Sequence, residues 1–353
     1  MASSPEPVGV AIVGSGMISE FQARAIGDLD SARLVGFYDM VPELAKKRAG
    51  QFAAQQFSSI DEVLRDSRVQ LVSICTPSGA HLEPAVAAAR AGKHVMVEKP
   101  VEITPERIDE IVGACRETGV TLGAIFPRRF MDSSRALKKA IEGGRFGTLS
   151  LADVSIKWYR TQEYYDSGGW RGTWKLDGGG ALMNQGIHGI DLIQWLMGGI
   201  DSVSGMVATR SHERIEVEDV ATASVTYKNG CLGVIEGTTG AWPGSKLRIE
   251  ICGSAGHAIM EDEAILTWHF ADESDDDDET RRRFGPREGL SGGGAADPRA
   301  IDSEGHRRQF EDFVDAIQNG RTPLCDGVEG RAAVAIITSI YRSARDGRTV
   351  KVE

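Results

Sequence analysis

Short apolar runs and amphipathic runs alternate through the first 126 residues. Val8–Val13 is wholly apolar and rich in β-branched side chains, the pattern of a strand buried on both faces. Further strands are expected at Ala32–Tyr38, Leu71–Cys75, His94–Val97 and Thr121–Phe126. Helices are expected after the glycine turn that follows Val13, and at Ser59–Arg65, Glu83–Ala91 and Thr104–Thr118, the last with Thr104 as N-cap and Pro105 in the first turn. Strands alternating with helices predict a parallel, doubly wound α/β sheet with its ligand at the carboxyl ends of the strands.

After Pro127 the pattern changes. A helix is expected at Ser133–Glu142, stopped by Gly143-Gly144. Runs with strand character follow at 148–158, 201–209, 219–228, 231–239, 246–252 and 257–268, with an Asn229-Gly230 hairpin turn. An apolar-periodic helix through Ile190, Leu192, Ile193, Trp195, Leu196 and Met197 interrupts them, and two helices, 303–319 and 328–345, close the chain. Consecutive strands with few helices predict a second, α+β domain around a large, mostly antiparallel open sheet. The expected division is a dinucleotide-binding domain over 1–126 and a substrate and oligomerisation domain over 127–353, with the 328–345 helix a candidate to pack back on the first. The acidic-then-basic stretch 271–300 reads as a solvated insertion without assigned chemistry.

Chemistry enters at the ends of the predicted strands. Val13 runs into Gly14-Ser15-Gly16-Met17-Ile18-Ser19, a dinucleotide fingerprint with serine in the third glycine position. The first glycine makes the tight turn, the second lets backbone approach a pyrophosphate, and the helix N-terminus offers N–H groups to the anion. Asp39 ends the second strand 25 residues after Gly14, where a carboxylate accepts from ribose hydroxyls and repels a 2′-phosphate. NAD is therefore favoured over NADP; the competing role for Asp39 is a helix cap before Pro42. Thr76-Pro77 and Glu98-Lys99-Pro100 also fall at strand ends, beside the expected cofactor, and Lys99 fits stabilisation of a substrate oxygen. His81 divides between cofactor contact and the cap of the next helix.

The second constellation is Gly178–Asp191, three glycines leading into a helix on which Asn184, His188 and Asp191 sit at i, i+4 and i+7. A histidine between polar neighbours beside a glycine turn fits a general base. Upstream lie Trp158, Tyr159, Arg160, Tyr164, Tyr165, Trp170, Arg171 and Trp174. Aromatic faces with arginines suit a polar ring such as a sugar, and equally suit a loop that packs its own aromatics. Arg128 and Arg129 divide in the same way between substrate and ion pair, and His306 is expected at the surface.

Composition narrows the class. With 40 Lys and Arg against 51 Asp and Glu the formal charge is −11, which disfavours nucleic-acid and anionic membrane partners. Five widely spaced cysteines without a Cys-x-x-Cys pair suit reduced thiols in a cytoplasmic protein and supply no zinc motif; His188 with Asp191 lacks a third ligand, so no metal is expected. The N-terminus lacks a basic, signal-like region, and no apolar stretch is long enough to span a membrane.

Taken together, Gly14–Ser19, Glu98-Lys99-Pro100, Gly178–Asp191 and the ending from His306 through Phe310, Phe313, Pro323 and Gly330 resemble the Gfo/Idh/MocA family of oxidoreductases. The resemblance implies a Rossmann domain, an open-sheet second domain, homodimers or homotetramers built through that sheet, and NAD(P)-linked chemistry on sugars, inositols or sugar nucleotides. It implies that Lys99 is the family lysine and His188 the catalytic histidine. Asn184 departs from the aspartate many members carry; an amide orients an imidazole or binds a hydroxyl but adds no charge. The expected cofactor contacts are Gly14, Gly16, Met17, Ile18, Asp39, Thr76, Pro77, His81, Glu98 and Lys99; the expected substrate contacts are Arg129, Tyr159, Trp170, Arg171, Asn184 and Asp191. The expected reaction is hydride transfer between NAD and a ring secondary alcohol or ketone. An NAD-dependent glycosidase acting by transient oxidation and a non-catalytic dinucleotide-binding regulator are the alternatives.

Overall fold

The computed structural model describes residues 6–286 and 303–353. The chain forms two compact units, one running to Pro127 and taking in Ser303–Arg331, the other comprising Arg128–Asp302 and Ala332–Glu353.

The first unit follows the predicted alternation: β1 (Val8–Val13), α1 (Met17–Gly27), β2 (Ala32–Tyr38), α2 (Pro42–Gln51), β3 (Gln55–Gln56), α3 (Ile60–Arg65), β4 (Leu71–Ile74), α4 (Leu82–Arg90), β5 (His94–Val97), α5 (Pro105–Thr118) and β6 (Leu122–Ala124). The six strands lie in the order β3-β2-β1-β4-β5-β6, all parallel, so the order reverses between β1 and β4, where doubly wound sheets bind ligands. All six residues of β1 are buried, as a strand covered on both faces requires.

The second unit opens with α6 (Asp132–Glu142), β7 (Leu149–Lys157) and the short α7 (Gln162–Asp166). It continues through α8 (Ile187–Met197), β8 (Ile200–Ala208), β9 (Val220–Tyr227), β10 (Leu232–Thr238), β11 (Arg248–Gly253), β12 (Gly256–Glu261), β13 (Ala264–Phe270) and α9 (Asp275–Phe284). Two long helices and a short strand complete the chain: α10 (Glu304–Asn319), α11 (Gly327–Asp346) and β14 (Val350–Lys351). The eight-stranded sheet runs β13-β12-β11-β7-β10-β9-β8-β14 and is antiparallel except where β10 pairs parallel with β7. Leu149–Lys157 and its neighbours alternate buried and exposed residues, the signature of a sheet with one covered face.

Four expectations change. The run 257–268 is two strands, because Asp262 adopts a left-handed φ of +51° and turns the chain back on itself. The segment Ser303–Arg331 belongs to the first unit, not to a second domain covering all of 127–353. There α10 packs on α1, burying Phe310, Phe313 and Val314 with Val10, Ile12 and Ile26, while the Gln309 amide donates to the Ala124 carbonyl and accepts from the Phe126 N–H. His306, expected at the surface, is buried on the same helix face. Part of the supposed solvated insertion is ordered as α9, whose Ser274–Asp277 capping box seats Asp277 against Arg145 and the Trp268 indole; residues 287–302 lie outside the described residues. Among the described residues no helix is long and apolar enough to cross a membrane.

Candidate active site

In the first unit, the fingerprint turn has the geometry its sequence asks for. Gly14 holds φ +95°, and a Cβ there would lie 2.5 Å from the Cys75 carbonyl group, so only glycine lets β1 pass β4 at this point. Gly16 is the N-cap of α1, with open space where a side chain would be and no side-chain hydrogen bond onto the helix N-terminus. The first turn of α1, beginning at Met17 and Ile18, is a helix N-terminus of the kind that binds anions. Asp39 reaches this loop: its Oδ2 accepts from the Ser15 N–H at 2.7 Å and its Oδ1 from the Val41 N–H at 2.8 Å. Asp39 thus lies beside the glycine turn and also holds the chain entering α2 through the Val41 N–H, without a side-chain cap on the helix itself. These residues fit a dinucleotide: a glycine cradle, a helix end without a side-chain cap and a carboxylate beside the turn.

Glu98 and His81 take different places from those expected of cofactor contacts. Glu98 is buried; its Oε1 accepts from Gln22 Nε2 at 2.6 Å, its Oε2 accepts from the Lys99 N–H at 3.1 Å, and Gln22 in turn accepts from Ser73 Oγ at 2.5 Å. Burial raises the Glu98 pKa while Lys99 pulls it back. The chain of bonds ties the turn carrying Lys99 to α1 and β4. His81 is also buried, with one ring nitrogen 2.9 Å from the Thr76 carbonyl and the other 2.9 Å from that of Pro100. It joins the Thr76-Pro77 turn to the Lys99-Pro100 turn and makes no side-chain cap on α4. Thr76 and Pro77 themselves remain half-buried at the strand end, as does Lys99.

The second unit builds Gly178–Asp191 around two buried carboxylates that sequence reading missed. A Cβ at Gly180 would sit 1.7 Å from the Glu218 carbonyl oxygen, and one at Gly179 would sit 2.2 Å from the Tyr341 hydroxyl. The glycines are therefore needed for close approach. The Glu218 carboxylate accepts from the Gly180 N–H (2.9 Å), the Leu182 N–H (2.9 Å) and Tyr341 Oη (2.8 Å). Its burial pushes its pKa up to about 7. Asp177, 1% exposed, accepts from Asn184 Nδ2 at 2.7 Å and from the Gly172 N–H at 2.8 Å. Its position next to Gly178 was the available signal; for Glu218 it was the paired Glu218-Asp219 just before β9. Asp219 is fully buried and accepts from the Arg210, Ser211 and His212 N–H groups.

The helix carrying His188 is not regular throughout. Ala181–Gly186 is a π-helical turn, and α8 starts only at Ile187. The wider turn shifts Asn184 out of the α-helical i, i+4, i+7 row that the spacing predicted. Asn184 and His188 stay half-buried, whereas Asp191 is 1% exposed and forms a bidentate pair with fully buried Arg129, at 2.8 and 2.6 Å. Arg129 and Asp191 are therefore a pair holding α8 to the chain entering α6, and not the substrate contacts expected of them. Arg128 pairs with Asp262 at 3.0 Å.

In the aromatic segment, packing claims some members and leaves others half-exposed. Tyr165 is buried with its hydroxyl 2.8 Å from Thr239 Oγ1. The Arg171 guanidinium lies 4.8 Å from both the Tyr164 and Trp170 ring centres, and Tyr164 Oη accepts from Gln185 Nε2 at 3.1 Å. Tyr159, Trp170 and Arg171 remain half-buried.

Comparison with known proteins places this architecture. Residues 8–126 match the family model described as oxidoreductase family, NAD-binding Rossmann fold, and residues 134–259 match the GFO/IDH/MocA C-terminal domain. The crystal structure of the WlbA dehydrogenase from Bordetella pertussis, in complex with NADH and UDP-GlcNAcA, is similar at 34% identity and TM-score 0.89, covering 99% of each chain. The inositol 2-dehydrogenase of Rhizobium meliloti is 26% identical over 97% of this chain and 98% of its own. The 2,7-anhydro-N-acetylneuraminate hydratase of Mediterraneibacter gnavus is likewise 26% identical, over 98% of this chain and 96% of its own. By fold and by these matches, the chain belongs to the Gfo/Idh/MocA family of NAD-dependent oxidoreductases.

Proposed function

We propose that the protein transfers hydride between NAD and a secondary alcohol or ketone of a carbohydrate ring, with His188 as general base and acid. The observation carrying this reading is the arrangement around Gly178–Asp191: Glu218 and Asp177 lock the glycine turn and the Asn184 amide, and His188, four residues after Asn184, stays half-buried. Bound NAD supplies the hydride acceptor, and Gly14, Gly16, Met17, Ile18, Asp39, Thr76 and Pro77 are the residues that would hold it. His188 removes the hydroxyl proton and returns it in the reverse direction. The Lys99 ammonium stabilises the substrate oxygen as negative charge develops on it. Asn184, oriented by Asp177, positions a substrate hydroxyl. Tyr159, Trp170 and Arg171 select the ring. The protein is further proposed to work in the cytoplasm, as a homodimer or homotetramer; exposed Leu151, Met206, Leu232 and Val234 on the open sheet support the assembly.

The test is NADH formation across inositols, aldoses, uronic acids and UDP-sugars, run with the wild type and His188→Ala. UDP-sugars form the first arm because the solved relative at 34% identity holds UDP-GlcNAcA. Near-normal turnover in His188→Ala sinks the assignment. A second reading, transient oxidation with no net NADH, is supported by the similarity to a hydratase, since hydration leaves the substrate's overall oxidation state unchanged. Product release without NADH accumulation distinguishes it. A purely regulatory dinucleotide binder gives neither signal.

A further inference from the structure

On the open face of the second unit's sheet, β11 and β12 bring together a thiol, an imidazole and a carboxylate. Cys252 and His257 are directly opposed across the antiparallel pair, and Glu250 lies two residues before Cys252, hence on the same face. One ligand atom from each of the three lies within 4.8 Å of the other two. Around a tetrahedral zinc ion the ligand atoms stand about 3.5 Å apart, so the three groups already lie near the spacing a metal requires.

The local bonds already aim two of these groups. His257 Nε2 faces Glu250 Oε1 at 3.0 Å, while the other carboxylate oxygen, Oε2, accepts from Arg248 Nη2 at 2.9 Å. One oxygen is thus turned toward the imidazole and the other is held from behind, the arrangement by which outer partners orient a metal-bound carboxylate. Cys252 is half-exposed, unlike the buried Cys75, Cys115, Cys231 and Cys325.

We propose that Glu250, Cys252 and His257 form a binding site for a soft divalent cation of the zinc type, separate from the proposed reaction chemistry. Cys252 binds as thiolate, releasing its proton to solvent, and water fills the fourth position. Glu250-x-Cys252-x4-His257 is not a Cys-x-x-Cys pattern, and it is the β11–β12 pairing that sets the three side chains together.

The experiment is a titration of the full-length, metal-stripped protein with Co²⁺ alone, followed by displacement with Zn²⁺. A near-ultraviolet thiolate-to-cobalt band is expected, at one ion per chain, lost on adding Zn²⁺. Cys252→Ser should abolish the band, and His257→Ala should weaken Co²⁺ binding at least about tenfold, consistent with loss of one of three protein ligands. Cys252 lies opposite Leu151 on the sheet face proposed above for oligomerisation, so circular dichroism checks that each variant is folded and size-exclusion chromatography that its assembly is unchanged. No band in the wild type, or an undiminished band in folded Cys252→Ser, overturns the proposal.

Discussion

Asp177 Oδ1 accepts a 2.7 Å hydrogen bond from the side-chain amide of Asn184. The negative charge that asparagine lacks therefore stands one bond behind it, on a carboxylate that is 1% exposed and is also anchored by the Gly172 N–H. In the proposed reaction, Asp177 is a positioning residue for Asn184. Asp177→Ala should lower kcat by about 10²-fold, the cost of roughly 1 Å of misplacement, with little change in NADH affinity. Steady-state kinetics beside a fluorescence titration of NADH separates the two quantities. Equal losses in both would show a general structural role.

The Arg129–Asp191 pair makes a prediction about stability. Both side chains are essentially inaccessible and bond through two contacts of 2.8 and 2.6 Å. Removing one partner leaves the other charge buried, so Arg129→Ala should destabilise by about 3–5 kcal/mol. The double variant Arg129→Met with Asp191→Leu should recover most of that loss. Urea denaturation of the single and double variants measures the difference; a double variant as unstable as the single would contradict it.

Glu218 should make stability fall with rising pH. Its pKa is raised from 4.5 to about 7 in the folded chain, chiefly by burial, so the folded state holds this proton more tightly than the unfolded chain does. The contribution is fully present below about pH 4.5 and is lost as pH rises through about 7, roughly 3 kcal/mol in all. Glu218→Gln removes the titration. Subtracting its unfolding free energy from that of the wild type between pH 4.5 and 8 should reveal a falling difference; a flat difference means Glu218 titrates normally.

Asp39 should govern the choice of dinucleotide. It sits at the glycine turn through the Ser15 N–H, 2.7 Å away. Asp39→Ser should raise the KM for NAD by about tenfold or more, because hydrogen bonds to a charged acceptor are worth about 1.5–3 kcal/mol, and it should narrow the preference against NADP. Kinetics with both dinucleotides provide the check, and unchanged selectivity would remove Asp39 from the ribose.

Much of the first unit was legible from residue order alone. Val8–Val13, the Gly14–Gly16 turn and Asp39 are local signals, since strand burial, positive φ and helix capping are set by near neighbours. In the second unit the strands were legible, but their pairing was not. Nothing in Leu149–Lys157 or Leu232–Thr238 says that these two strands lie parallel.

The sequence by itself determined most of the element types, the glycine turn after β1 and the family to which the whole belongs. It also singled out Lys99, Asn184 and His188. Only the tertiary structure decided which polar residues are used for support: Asp191 for Arg129, Glu98 for Gln22, His81 for two carbonyl groups, and Glu218 for the backbone of the glycine turn. The physical reason is distance along the chain. A buried polar group must find a partner wherever folding brings one, and these partners lie from 5 to 76 positions away. The π-helical turn at Ala181–Gly186 follows the same rule: Glu218, from the segment before β9, grips its first amides and so sets a register that local periodicity does not encode.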